Sequence, residues 1–179
     1  MEVGEVTVAD STVAVILWET EHLPVYYFPL SDIRMDLMRP SEHTTVCPYK
    51  GTARYHTLAV GNRVIENFMW SYPQPIKECS PIGGYASFYW DKADRWFEED
   101  EEVFVHARDP YKRIDCLESS RPVEVHVDGV RVAHSARAVF LYETGLPTRF
   151  YLPKEDVRQD LLVASDHHTR CPYKGRASY

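Results

Sequence analysis

Three side chains in one short stretch of the sequence could carry out acid–base or nucleophilic chemistry. His43 has an ordinary pKa near neutrality and is the best candidate to move a proton. Asp36 could act as a general base or orient that imidazole, although a cap at a helix end would also explain it. Cys47 follows His43 by four residues, and a cysteine beside a histidine can form a thiolate nucleophile. These residues are the candidate catalytic groups; a loop histidine and a small buried thiol are the alternatives.

A second set of residues could hold a ligand without transforming it. Arg34 can bind a carboxylate or phosphate through two parallel hydrogen bonds, and an ion pair with Asp36 would occupy it equally well. Lys50 could place a positive charge in a pocket or lie on the surface. Trp70 and Tyr72 could form the apolar wall of that pocket or pack in a core.

Most of these polar residues lie in an internal repeat and are identical in its two copies. The segment 47–51 recurs as 171–175, and 14 of the 25 positions between Ser31 and Tyr55 are identical in the second copy. Apolar positions change between the copies while several polar ones are kept, which favours a function for them, although a recent duplication would also keep them. The counterparts of the ligand-binding and acid–base candidates are Arg158, Asp160, His167 and Lys174.

The repeat also predicts the domain organisation. Residues 1–103 would form a complete unit, residues 104–122 a connector, and residues 123–179 the first half of a second unit. A half unit exposes strand edges and apolar surface. We therefore expect either a shortened version of a longer protein or a half unit completed by the first unit or by another copy, and the last possibility predicts a homo-oligomer.

Composition favours a mainly β protein of the soluble kind. The 179 residues are 44% hydrophobic, and twelve prolines and twelve tyrosines favour short strands and turns. The net charge of −7 argues against nucleic acid as a partner. No signal-peptide pattern or bilayer-length apolar run is present, so we expect a cytoplasmic protein without a membrane partner. The four cysteines form no CxxC pair, so we expect free thiols, no metal and no cofactor.

Local patterns predict the elements that position the candidates. Residues 30–38 predict one or two helical turns that end before Pro40. Residues 53–60 and 63–70, joined by Gly61 and Asn62, predict a hairpin.

Three further segments have predicted roles. Residues 47–51 predict a turn between extended segments. Residues 86–90 and 95–97 predict a second hairpin. The five acidic residues 98–102 predict a solvated edge, with a cation site as the alternative.

The sequence resembles the DUF427 family, whose domains often occur in tandem. The matching segments are residues 34–37, 43–51, 70–73 and 88–91, with Arg95 and Trp96 downstream. The resemblance covers the first unit and the first half of the second. It implies an Mss4-like, or β-tent, fold of small antiparallel sheets with short helices that meet over a pocket. Many such folds bind zinc through two CxxC knuckles, which this sequence lacks, so the metal is not carried over.

The residues and the resemblance together predict a small-molecule function without naming a reaction. A pocket lined by the Arg/Asp, His-x3-Cys-Pro-Tyr-Lys-Gly and Trp-Ser-Tyr-Pro motifs would bind or convert a small polar or anionic ligand, and enzyme activity is left open. One alternative is a non-catalytic binding or assembly module. The other is a nucleotidyltransferase-like activity, which rests on the family label alone.

Overall fold

The computed structural model describes residues 1–179, and nearly all of its regular structure is β. Seventeen short strands form several small antiparallel sheets, and the six helices are all of the 3-10 type. The predicted fold class, mainly β with small antiparallel sheets and short helices, is confirmed. No helix has the length and apolar character needed to cross a membrane.

The first unit contains ten strands and four 3-10 helices. The strands are β1 (Glu2–Val3), β2 (Val6–Thr7), β3 (Val15–Leu17), β4 (Val25–Pro29), β5 (Met38–Cys47), β6 (Gly51–Val60), β7 (Arg63–Ser71), β8 (Tyr85–Phe88), β9 (Trp96–Glu98) and β10 (Glu101–Val103). The 3-10 helices are η1 (Leu30–Asp32), η2 (Met35–Leu37), η3 (Lys77–Ile82) and η4 (Trp90–Lys92). Six strands form one antiparallel sheet in the order β3-β4-β8-β7-β6-β5, while β1–β2 and β9–β10 are separate hairpins.

The structure confirms one predicted hairpin and corrects the other. Strands β6 and β7 pair around a tight turn at Gly61 and Asn62, as the sequence predicts. The hairpin predicted from residues 86–90 and 95–97 is wrong, because β8 pairs with β4 and β7 while β9 pairs with β10. The chain between β8 and β9 turns through η4, where the amide of Lys92 donates to the carbonyl of Tyr89, so the two strands do not meet.

The remaining local predictions concern residues 30–38, 47–51 and 98–102. The helical turns expected at residues 30–38 are η1 and η2, and the chain is already extended in β5 at Pro40. The turn at residues 47–51 joins β5 to β6. The acidic residues 98–102 span the tip and second strand of the β9–β10 hairpin, where Glu98 pairs with Glu101 across the ladder.

Two buried clusters pack against the six-stranded sheet. Residues of strand β4 contact both clusters. Tyr26 and Phe28 pack with one cluster, and Tyr27, on the opposite face of the strand, packs with the second. The first core is large and apolar, and its largest side chains are Phe28, Leu58, Phe68, Met69, Phe88 and Trp96. The second core is small and rich in tyrosine, with Tyr27, Ala53, Tyr55, Tyr72 and Ile82 buried at its centre.

The C-terminal part of the chain, residues 109–179, repeats local features of the first copy. Its strands are β11 (Ile114–Ser119), β12 (Val123–Val127), β13 (Val130–Ser135), β14 (Ala138–Glu143), β15 (Arg149–Tyr151), β16 (His168–Cys171) and β17 (Gly175–Ser178), with 3-10 helices η5 (Lys154–Asp156) and η6 (Gln159–Leu161). The register of β14 with β15 repeats that of β3 with β4: Val139 faces Tyr151 as Val15 faces Tyr27. Strand β11 lies within the expected connector, residues 104–122, and pairs with β14.

The compact units do not follow the sequence repeat throughout. One unit comprises residues 1–108 together with residues 170–175, and the other comprises residues 109–169 and 176–179. Within the first of these units, the Arg170 guanidinium lies 4.1 Å from the centre of the Phe104 ring. The Tyr173 ring likewise contacts His106, with the ring centres 6.0 Å apart.

The turn at residues 47–51 lies against the loop that precedes η3. The amide of Ile76 donates to the carbonyl of Lys50 at 3.1 Å. Gly51 has φ +107°, and a Cβ there would lie 3.1 Å from the carbonyl oxygen of Gln74. Only glycine combines this backbone conformation with so close an approach.

We predict that Gly51→Ala lowers the free energy of unfolding by about 2–3 kcal/mol, because it adds a backbone clash to an unfavourable φ. The matched control is Gly175→Ala, at the same turn of the second copy, where φ is +84° and no atom lies within 4 Å of an added Cβ. That control should lose only about 1 kcal/mol. Urea denaturation measures both, and equal losses would show that the approach to Gln74 imposes no cost.

His56 on β6 is half-buried, and its Nδ1 is buried without a hydrogen-bond partner. Burial lowers the pKa of His56 below its usual value of 6.5. The unfolded chain therefore binds a proton before the folded chain does as the pH falls, and stability is lost below about pH 6.5.

We predict that His56→Gln makes stability less dependent on pH between 7 and 5, because the uncharged amide does not titrate. The urea midpoint measured at several pH values gives the slope. His22→Gln is the control, since His22 is exposed and should leave the slope unchanged. A His56→Gln slope equal to that of the parent chain would contradict a buried neutral imidazole.

Candidate functional site

Lys50 is held in a half-buried ion pair that the sequence analysis did not identify. Its Nζ lies 2.5 Å from Oε2 of Glu19, and the two side chains are 12% and 30% exposed. The same Nζ lies 5.9 Å from the centre of the Tyr72 ring. Lys50 thus reaches the second core, as a pocket lysine would, but its charge is already balanced by a carboxylate.

Tyrosines and thiols surround this ion pair. Burial raises the pKa of Tyr27 to about 12 and also raises the pKa of Tyr72. Cys47 and Cys79 pack against the same second core, and burial raises the pKa of the Cys79 thiol while nearby Lys50 opposes that change. The cluster is therefore a set of neutral donors and acceptors around one internal ion pair.

Arg34 and Asp36 bind each other. Two parallel hydrogen bonds join them, Nε to Oδ1 at 2.8 Å and a terminal guanidinium nitrogen to Oδ2 at 2.7 Å. Both side chains are more than half exposed. Arg158 and Asp160 repeat this arrangement with distances of 2.7 and 2.5 Å. An ion pair with Asp36 is the alternative role considered for Arg34, and both copies contain this ion pair.

His43 and Cys47 are separated along one strand. The ladder of β5 with β6 is regular from Thr44 to Cys47, and each extended residue advances about 3.3 Å. Their Cα atoms are thus about 10 Å or more apart along the strand. His43 packs on the ring of Tyr55, with ring centres 4.5 Å apart.

The second copy places its candidates in the same way. The ring centre of His167 lies 5.0 Å from that of Tyr179. Lys174 is exposed and lies in the turn between β16 and β17. The hydroxyls of Thr169 and Tyr179 are 2.9 Å apart, as are those of Thr45 and Tyr55. The contacts of Arg34 with Asp36 and of Tyr55 with His43 and Thr45 are thus formed in both copies.

A separate pocket is lined by six aromatic side chains, of which four pack with the first core and Trp70 packs with the second. Its volume is about 160 Å³. We call it the aromatic pocket, and its aromatic lining consists of Tyr26, Trp70, Phe88, Tyr89, Trp90 and Trp96. Trp90 and Trp96 stack with their ring centres 4.4 Å apart and their planes 6° from parallel. Of the sequence-predicted site residues, Trp70 alone is among the residues that line it.

Trp70 connects the aromatic pocket to the second core. Its indole N–H donates to the hydroxyl of Tyr27 at 3.2 Å, and its ring centre lies 4.8 Å from that of Tyr89. Burial and a hydrogen bond with Tyr55 raise the pKa of Tyr89 to about 12. In the predicted Trp-Ser-Tyr-Pro motif, Trp70 therefore contacts both the aromatic pocket and the second core, while Tyr72 is buried in the second core.

Ser87 is the unexpected polar group of the aromatic pocket. It lies on β8, it is fully buried, and its Oγ has no hydrogen-bond partner. The pocket is bounded on another side by residues 105–107, where Val105 has φ +75°, a conformation that β-branched residues rarely adopt. His106 in this segment has its Nδ1 2.7 Å from the carbonyl oxygen of Ala107.

Several of these residues were not among the predicted site residues, for different reasons. Glu19 offered a signal, since it recurs as Glu143 in the repeat. Ser87 and Cys79 offered none, because they lie in the part of the first unit that the second copy does not repeat. No group of three or more His, Cys, Asp or Glu side chains is arranged to hold a metal ion.

Comparison with known protein families identifies the class to which this mainly β chain belongs. A family model described as "Domain of unknown function (DUF427)" matches residues 1–99 and 115–179. The chain belongs to this family. The two matched segments are consistent with a tandem or split domain. No curated protein matches the chain.

We predict that Lys50→Met lowers the free energy of unfolding by about 1–3 kcal/mol, because it leaves the half-buried Glu19 carboxylate unpaired. Adding Glu19→Gln should recover part of this loss, since the amide has no charge to leave unpaired. Urea denaturation of the single and double variants measures the coupling.

The control for this pair is Arg34→Met, which breaks an exposed ion pair and should cause a smaller change. A coupling between positions 19 and 50 that is indistinguishable from zero would show that the buried ion pair does not stabilise the second core.

Proposed function

We propose that the first unit binds a small organic molecule in the aromatic pocket, and that this molecule has a compact apolar body and one polar group. The observation that carries the proposal is the Ser87 hydroxyl, fully buried without a partner among aromatic walls. A buried hydroxyl without a hydrogen bond costs about 1–3 kcal/mol. Ser87 has no exposed surface, so a ligand would bond to its hydroxyl after a small shift of the neighbouring side chains, and that bond would remove the cost.

Pocket size limits the ligand. A cavity of about 150 Å³ lined by apolar side chains is known to accept benzene, and this pocket measures about 160 Å³. The bound group would therefore be a single ring or a branched group of similar bulk. Aromatic walls with few polar groups are typical of small-molecule sites.

The charges favour a different ligand from the anion that the sequence suggested. Arg34 is paired with Asp36 and Lys50 with Glu19 at 2.5–2.7 Å. An anion would have to displace a carboxylate from either cation. Catalytic roles for His43, Asp36 and Cys47 stay predictions, as does assembly of the chain into an oligomer.

The test compares phenol with toluene, which differ by one hydroxyl group on a ring of the same size. We predict that the chain binds phenol about 3–10-fold more tightly, because the phenol hydroxyl bonds to Ser87. Ser87→Ala should remove this preference. It should also raise the free energy of unfolding by about 1 kcal/mol, since it deletes an unsatisfied polar atom. Calorimetric titration and urea denaturation measure the two effects.

Ser135→Ala is the control, because Ser135 is also buried but its Oγ accepts a hydrogen bond from the amide of Arg137 at 3.1 Å. It should lose stability and leave phenol binding unchanged. If neither phenol nor toluene binds to the parent chain at millimolar concentration, the proposal is wrong.

A further inference from the structure

The aromatic pocket has the walls and the surrounding charge of a cation site. Resting on the proposed function, we infer that its ligand carries a small organic ammonium group, held against the faces of the tryptophan and tyrosine rings.

The first support is the arrangement of the rings. The faces of aromatic rings carry negative potential and attract cations within about 6 Å. The Tyr26 ring centre lies 6.2 Å from those of Trp90 and Trp96, and Trp70 and Tyr89 are in contact with each other. These rings therefore border one small space, in which Trp90 and Trp96 each cover one face of the other. One of these rings already attracts a cation of the chain itself, since Nζ of Lys92 lies 4.6 Å from the centre of the Tyr89 ring.

The second support is the charge of the segment that supplies five of the thirteen residues lining the pocket. Residues 90–108 include seven acidic and three basic residues. Each of the three basic side chains is engaged. Lys92 donates to the carbonyl of Glu66 at 2.8 Å, Arg95 lies 3.6 Å from carboxylate oxygens of Glu2 and Glu102, and Arg108 lies 3.7 and 3.5 Å from those of Glu98 and Glu101. The excess of carboxylates favours a positive ligand and disfavours a negative one.

Acidic groups also contact the pocket tyrosines directly. The Tyr26 hydroxyl donates to the Glu98 carboxylate. Burial and this contact raise the pKa of Tyr26, and Asp91 contributes in the same direction at Tyr89. A carboxylate thus contacts the pocket wall at Tyr26, where Arg108 partly opposes its effect on the pKa.

Ser87 completes the site as an acceptor. A hydroxyl oxygen can accept a hydrogen bond from an ammonium N–H or from a polar group next to the ammonium. His106 also lines the pocket, and its Nδ1 donates to the Ala107 carbonyl at 2.7 Å. The site thus combines aromatic rings with acceptors; no Lys or Arg lines it, and the cation of Lys92 lies nearby, on the Tyr89 ring.

The test uses choline and 3,3-dimethyl-1-butanol, which have the same shape and differ in the positive charge. Calorimetric titration of the full chain should show choline binding about tenfold more tightly than the neutral alcohol. Raising the sodium chloride concentration should weaken choline binding more than alcohol binding, because salt screens the acidic surroundings.

A variant and its control test whether the cation binds in the aromatic pocket. Trp90→Leu keeps an apolar wall and removes an aromatic face, so choline binding should weaken about tenfold. Trp18→Leu changes an exposed tryptophan outside the pocket and should have no effect. If Trp90→Leu does not fold, the comparison of the two ligands on the parent chain decides alone.

Two results would overturn the inference, and they are distinguishable. Equal binding of choline and the neutral alcohol, together with phenol binding, would show a pocket without preference for cations, and the proposed function would stand. Failure of choline, the alcohol and phenol to bind would overturn the proposed function and the inference together.

Discussion

The close contact between the 47–51 turn and the loop before η3 determines where the polar groups of the first unit lie. Because Gly51 has no side chain, the backbone of residues 74–76 can approach it, and Ile76 donates to the carbonyl of Lys50. The contact brings η3, with Cys79, against the end of β5 that carries Cys47. It also holds Lys50 beside the second core, where Glu19 balances its charge. A side chain at position 51 would push these parts away from each other.

The aromatic pocket depends on the central position of β8 in the sheet. Its backbone groups pair with β4 on one side and β7 on the other, so they offer nothing to the Ser87 side chain between them. The residues around Ser87 are aromatic, and those that have polar atoms use them elsewhere: Trp70 donates to Tyr27, and the indole of Trp96 donates to the carbonyl of Trp90. The isolation of the Ser87 hydroxyl therefore follows from the way each neighbour satisfies its own hydrogen bonds.

The sequence predicted the fold class and the β6–β7 hairpin because those features depend on local patterns. The Gly-Asn turn and the flanking alternation need no information from elsewhere in the chain. The second predicted hairpin failed because Tyr85–Phe88 has better partners in strands that are distant in sequence, which no local pattern reveals. The site was predicted in part for the same reason. The approach of Lys50 to Tyr72 was expected from two motifs, whereas its partner Glu19 lies 31 residues earlier in the chain.

The comparison of the two copies selected residues that the fold itself requires. Arg34 with Asp36 and Thr45 with Tyr55 form contacts inside one copy, and the same contacts recur 124 residues later. Residues that form such internal pairs are kept together whether or not a ligand is nearby, because loss of one leaves the other without its partner. Most of the aromatic pocket comes from residues 70–107, which have no counterpart in the second copy. A repeat that ends at the position of Tyr55 can therefore indicate which polar contacts stabilise the unit. The residues best arranged to bind a ligand lie beyond that position, where the two copies cannot be compared.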